Sequence, residues 1–308
     1  MSQLRYLENK EINKKKWDAC IHKASNRMIY AESVYLDTMA ANWDAIIVGE
    51  YKALFPLTWK KKFGIRYLYQ PAFLQQGGIY GNDIDSKTIE AILRLAQKHF
   101  NFAEINLNYY NKPILSKKTE KIFWKNNYIL CIDHKYADIQ KNYSSYISQR
   151  IQRAQKNNLS FQKNGTIKEI ISLYKKLYHK KIKQVKNQDY LAFESLCKYY
   201  DTNKNVIIRK VYDESKKELV AAILLLKDEN RIYNILSCIL PNGKKLLANY
   251  FLYDAVIEEF SNQGLTLDFE GSDIPGVAYF YNKFTSENQQ YPFIKWNHLP
   301  KMIQWIKK

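Results

Sequence analysis

Hydrophobic and polar positions follow the same order in both halves of this chain. In the first half, residues 45–48 and 53–59 are apolar runs flanking a turn near 50–52, which predicts a strand pair. Residues 65–69 predict another short strand, and Gln75-Gln-Gly-Gly-Ile-Tyr-Gly81 predicts a glycine-rich loop. Ile89, Ile92, Leu93, Leu95 and Ala96 set a helical spacing over 84–100, and residues 103–108 alternate as a strand. In the second half, 205–212, 218–226 and 231–240 read as strands, with a turn at 213–217. A loop over 241–245 follows, then an amphipathic helix over 246–260 closed by Gly264, then a strand over 265–270. In each half the first strand of the pair and the strand after the helix lie about sixty residues apart.

Strand–strand–strand–helix–strand, met twice, implies two tandem domains of one α/β (α+β) fold, each a mixed sheet flanked by helices. Between the halves, Ile139, Tyr143, Tyr146, Ile147, Ile151 and Ala154 give an apolar helical face over 138–158, the expected first helix of the second domain. The expected division is therefore 1–137 and 138–308. Helices are expected over 10–23 and 167–183 as well.

No apolar run approaches the ~20 residues of a membrane span, and the N-terminus has no secretory pattern. Cys20, Cys131, Cys197 and Cys238 are scattered without a C-x-x-C pair, which points to reduced thiols and a cytoplasmic setting. The five histidines are equally dispersed, so no metal site is expected. The net charge of +18 draws the chain toward polyanions, although much of it is Lys in an Asn-, Ile- and Tyr-rich composition.

The densest chemistry lies in Leu265-Thr-Leu-Asp-Phe-Glu-Gly-Ser-Asp-Ile-Pro-Gly276. Alternation puts Asp268 and Glu270 together on the polar face at a strand end; Gly271 permits a tight turn. Ser272 or Asp273 can cap the next helix, and Pro275 suits its first turn. The two acids are either a working pair or solvated strand-end residues.

Gln149-Arg-Ile-Gln-Arg-Ala-Gln-Lys-Asn-Asn-Leu159 resembles the Arg-x-x-Arg-x-Ala-x-Lys-x-Gly-Leu segment that opens the second domain of FemAB-like acyltransferases, with Asn158 in place of Gly. Asp268-Phe-Glu-Gly-Ser272, Pro275-Gly276 and Phe280 resemble the end of the same domain. Those proteins are tandem GNAT (N-acetyltransferase) folds. The resemblance implies a bacterial N-acyltransferase with a degenerate, acceptor-side first domain and a donor-binding second domain. It would carry an acetyl or aminoacyl group from acyl-CoA, or less directly from aminoacyl-tRNA, to an amine in a cleft between the domains. Two departures stand out: Pro241-Asn-Gly-Lys-Lys-Leu246 replaces the glycine-rich pyrophosphate loop of GNAT enzymes, and 160–205 is too short for a long helical arm.

Under that resemblance each candidate receives a role. Glu270 is the first choice of general base and Asp268 the second, with repulsion between them raising one carboxyl toward the working range. Tyr281, or Tyr279, would protonate the leaving group. Asn242, Gly243, Lys244 and Lys245 precede a helix N-terminus and would hold the coenzyme A pyrophosphate. Gln70, Gln75 and Gln76 would line the acceptor side, and Arg150 and Arg153 would meet a substrate phosphate, unless they form a plain solvated face. The competing class is a GNAT-derived, non-catalytic module that binds tRNA or acts as a scaffold.

Overall fold

The structure is a computed structural model that describes residues 3–112, 120–271 and 273–300. Two compact units emerge: Met1–Lys125 with Gln290–Lys308, and Asn126–Gln289.

The first unit begins with β1 (Leu4–Leu7), α1 (Lys14–Lys23) and α2 (Ser33–Met39). Then come β2 (Trp43–Val48), β3 (Ala53–Lys62), β4 (Ile65–Leu68) and the two-residue β5 (Tyr80–Gly81). Helix α3 (Ser86–His99), β6 (Phe102–Asn106) and β7 (Glu120–Lys125) follow. Asp85 starts α3 by accepting the Thr88 N–H, and Ile89, Ile92, Leu93 and Ala96 bury its apolar stripe on one sheet face. Helix α1 packs beside β3 and β5.

The second unit contains β8 (Tyr128–Cys131), α4 (Tyr136–Lys141), α5 (Ser145–Gln155) and β9 (Leu159–Gln162). These are followed by α6 (Ile167–Tyr178), α7 (Asn187–Asp201), β10 (Val206–Asp213), β11 (Glu218–Lys227) and β12 (Arg231–Ile239). The unit ends with α8 (Pro241–Lys245), α9 (Ala248–Phe260), β13 (Thr266–Asp268), α10 (Pro275–Asn282) and β14 (Glu287–Asn288). A Thr166–Glu169 capping box opens α6. The last strand, β15 (Tyr291–Asn297), belongs to the first unit.

The sheets run β1-β2-β3-β4-β6-β15-β7, with β5 against β3, and β14-β8-β13-β12-β11-β10-β9. The repeat is realised as β2-β3-β4-α3-β6 and β10-β11-β12-α9-β13, and in each copy the last strand runs parallel to the third.

Several details differ from the sequence expectation. The helix expected over 138–158 is two, broken at 142–144, where Ser144 caps α5 by accepting the Ile147 N–H. The loop expected over 241–245 is the short helix α8, and Leu247 turns left-handed (φ 59°) before α9. The strand expected to reach Glu270 stops at Asp268. The units divide after Lys125, ahead of the expected 137/138, because β8 pairs with β13 and β14 while β15 inserts between β6 and β7.

Candidate active site

In the second unit, β12 and β13 pair over only three positions: Arg231 with Thr266, Ile232 with Leu267 and Tyr233 with Asp268. Strand β12 then continues to Ile239, and among the described residues no strand pairs with 234–239 on that edge. A parallel pair that parts at its carboxyl ends is where open α/β sheets place ligands.

Asn234 is the first residue past the parting and only 4% exposed. Its Nδ2 donates to the Tyr253 hydroxyl of α9 at 2.6 Å and to the Tyr281 hydroxyl of α10 at 3.4 Å. Its Oδ1 is buried without a hydrogen-bond partner. Turning the amide over moves the vacancy to the nitrogen, so either way one polar atom of Asn234 is unanswered. Tyr253 donates to Ser237 Oγ at 3.3 Å, and its hydroxyl lies 3.4 Å from that of Tyr281. Burial raises both phenols above their ordinary range, far above it for Tyr281, so each stays protonated at neutral pH and acts as a donor. Phe269 stacks on the Tyr281 ring at 4.6 Å and fixes its plane.

Asp268 has a different task from the expected one. It is fully buried, and its Oδ2 accepts from Arg231 at 2.7 Å and Asn127 at 3.2 Å. Its Oδ1 accepts the Glu270 N–H at 2.9 Å. A carboxylate committed to an ion pair and a turn is not a mobile base. It holds the Asx-type turn on which Glu270 (φ 62°) and Gly271 (φ 58°) are left-handed in succession. Asp268 and Glu270 therefore do not share a strand face, and the expected mutual repulsion along one strand loses its geometry. Glu270 is half-buried at the mouth of this turn. Ser272, a candidate cap, lies outside the described residues; α10 starts instead from Ile274 without a side-chain cap.

The expected pyrophosphate seat is also recast. Gly243 is buried in α8, and a Cβ there would collide with the Val220 carbonyl of β11. It is small to let a helical turn lie on the sheet, and the side of the residue that faces β11 is closed to a ligand. Asn242 donates to Glu218 at 3.3 Å, while Lys244 and Lys245 are exposed. Arg150 stacks over Tyr146 at 5.0 Å and Arg153 is exposed, both on α5.

In the first unit, the expected substrate glutamines are internal fasteners. Gln70 donates to the Leu74 carbonyl at 2.7 Å and accepts the Asn106 N–H at 2.9 Å. Asn106 donates to the Gln75 carbonyl at 2.6 Å. Gln76 is fully buried, donating to the Gln75 side chain at 3.0 Å and accepting the Tyr109 N–H at 2.9 Å. The glycine-rich loop is locked by Asn26, Asn108 and Asn111, which all donate to the Ile79 carbonyl.

Burial raises the thiols of Cys20 to about 11 and Cys238 to about 12, and Cys197 higher still, which keeps these three from thiolate chemistry, while Cys131 is exposed. Among the described residues no cluster of His, Cys, Asp and Glu suits a metal ion, and no helix is long and apolar enough to cross a membrane. Sequence reading missed Asn234, Ser237 and Tyr253. The available signal was two polar residues inside the apolar run of β12.

No protein-family model and no curated protein matches the chain. Solved structures do. FemX matches with a TM-score of 0.64 at 12% identity, covering 99% of this chain and 100% of that one. A tandem GNAT protein from the clavulanic acid biosynthesis pathway matches with a TM-score of 0.53 at 9% identity, covering 95% and 98%. L-PGS from Bacillus licheniformis matches with a TM-score of 0.51 at 12% identity, covering 95% and 94%. With its twice-built β-β-β-α-β order and parallel strand pairs that part, the chain has the tandem GNAT-like fold of these structures.

Proposed function

We propose that the protein is an N-acyltransferase that moves an acyl or aminoacyl group from a thioester or ester donor to an amine. The observation that carries this reading is the parting of β12 and β13 beside Asn234, whose buried amide has one unanswered polar atom next to two protonated phenols. An open strand edge with N–H and C=O groups suits an extended, amide-bearing donor arm. Attack by an amine on the donor carbonyl forms a C–N bond and breaks a C–S or C–O bond. The ammonium must first lose a proton, and Glu270 on its fixed turn is the base in this reading. The departing thiolate or alkoxide takes a proton, and the Tyr281 hydroxyl beside Asn234 is its donor in this reading. Asp268 positions Glu270 through the turn it holds.

Donor identity rests on the anion seat. Gly243 is packed against β11 on its Cβ side, so an acyl-CoA donor would draw on the exposed Lys244 and Lys245 ahead of α9 in this reading. The packed Gly243 is also what favours a second reading, a GNAT-derived binding module without turnover. Acyl-transfer assays with acetyl-CoA, longer acyl-CoAs and aminoacyl-tRNA against a panel of amines separate the two. Tyr281→Phe is expected to lower kcat on the order of 100-fold while leaving donor affinity near wild type. Glu270→Gln is expected to lower turnover and spare donor binding. Turnover unaffected by both substitutions removes this assignment, and no transfer from any donor, with salt-sensitive tRNA binding retained, favours the binding module.

A further inference from the structure

The two units share the excess charge unequally. The first has 24 Lys and Arg against 12 Asp and Glu, a net +12, while the second nets +6 with 24 against 18. Helix α3 covers one face of the first sheet, where Leu68, Ala103, Ile105, Ile122, Ile294 and Trp296 are packed. Strand alternation and register define the opposite face at β3, β4, β6, β15 and β7. Phe123 lies across from Phe293, Lys121 from Lys295, Lys295 from Glu104, and Lys60 from Tyr67.

That face interleaves rings and cations. The exposed Phe123 ring and the half-buried Phe293 ring lie 6.0 Å apart, and the half-buried Tyr67 ring lies 6.3 Å from the buried Phe102. Lys125 sits 4.8 Å from the Phe293 centroid, Lys295 5.8 Å from Phe102, and Lys60 4.1 Å from Tyr69. Phe123 is 50% exposed, on the strand at the sheet edge. The acid on this stretch, Glu104, is already neutralised by Lys295 at 2.7 Å.

We infer that this sheet face of the first unit binds a single-stranded nucleic acid, with Phe123 as a stacking ring and Lys60, Lys121 and Lys125 following the phosphates. Sequence-tolerant single-strand binding needs ring faces on a flat support and cations spaced between them, and strand alternation supplies both here. Charge decides the class of partner. The core of a protein interface is depleted in Lys, whereas this face alternates Lys with rings. The inference is independent of the acyl-transfer reading, since it uses no residue of the second unit.

The test is fluorescence anisotropy of the full-length protein with a labelled single-stranded oligoribonucleotide of about a dozen nucleotides. The expected result is saturable binding that weakens about tenfold between about 50 and about 200 mM salt. Phe123→Ala is exposed enough to fold, and is expected to weaken binding about tenfold without changing the salt dependence. Lys121→Ala and Lys125→Ala together should flatten that dependence, while Lys180→Ala in the second unit should leave it unchanged. A duplex of the same sequence should bind more weakly than the single strand. The inference is overturned if the single strand does not bind, if Phe123→Ala binds like wild type, or if anionic phospholipid vesicles bind through Phe123 while RNA does not.

Discussion

The two units split the same parallel strand pair and fill the split differently. In the first, β4 and β6 pair only at Leu68 and Ala103, and the gap beyond is stitched by the protein's own amides. Gln70 ties both sides, and the remaining cavity of about 10 Å³ beside Asn106 has room for one water. In the second, β12 and β13 part after Tyr233 and Asp268, no glutamine among the described residues bonds to both strands, and the Asn234 amide and two phenols line the opening. The same topology can thus be closed into a structural element or left open as a working one, and the choice is made by a few polar side chains.

The comparison can be broken at both ends. The largest expected effect is on the Arg231–Asp268 pair, which anchors the second parting. Arg231→Ala strands a fully buried carboxylate and should cost about 3–5 kcal/mol in urea unfolding. A loss under about 1 kcal/mol would mean that water reaches Asp268. Next comes the stitch of the first unit. Gln70→Ala leaves the Asn106 N–H and the Leu74 carbonyl without their partner and should cost about 2–3 kcal/mol, with little effect on transfer. Asn234→Ala should do the reverse, costing under about 1 kcal/mol of stability because its amide is already half unanswered, while transfer falls. Equal effects of the two variants on stability and turnover would erase the distinction between the units. Comparable to the Gln70 effect, Gly243→Ala pushes a methyl into the Val220 carbonyl and should cost about 1–3 kcal/mol by thermal unfolding. A stable Gly243→Ala variant that loses only donor affinity would restore the phosphate-seat reading.

The last effect concerns Asp254 on α9, where burial raises the carboxyl to about 6 despite the Tyr136 hydroxyl donating at 2.8 Å. The native state therefore holds this proton at pH values where the unfolded chain has lost it. Its stabilising share is present below about pH 4, declines as pH rises toward 6, and is absent above that. Asp254→Asn should stabilise the protein by about 1–2 kcal/mol at pH 7.5 and flatten this part of the profile between pH 4 and 6. An unchanged profile from chemical denaturation at several pH values would contradict the burial argument.

Much of the frame was legible because it is local. The strand pairs, the α3 stripe and the doubled order need only alternation, spacing and caps, and they appear where the pattern puts them. What escaped depends on partners far along the chain. Nothing within 291–297 announces that this strand inserts between β6 and β7. Asp268 reads as a free strand-end acid until Arg231, 37 residues earlier, is seen beside it. The glutamines near the glycine loop look like open polar groups, but Asn106 on the far side of α3 occupies them. Gly243 reads as a place where a phosphate can approach the backbone closely, and the structure shows β11 making a close approach there. The Asp268-x-Glu270 spacing could have suggested a side-chain-held turn, with the first acid fixing the second.

The most direct test follows amide hydrogen exchange, by mass spectrometry, with and without each donor. The account predicts that a productive donor, acetyl-CoA or aminoacyl-tRNA, protects the peptide spanning 234–239 in β12 and leaves the peptide spanning 68–76 in the first unit unchanged. Protection of the glutamine-stitched segment instead, or transfer catalysed with no protection at 234–239, would contradict it.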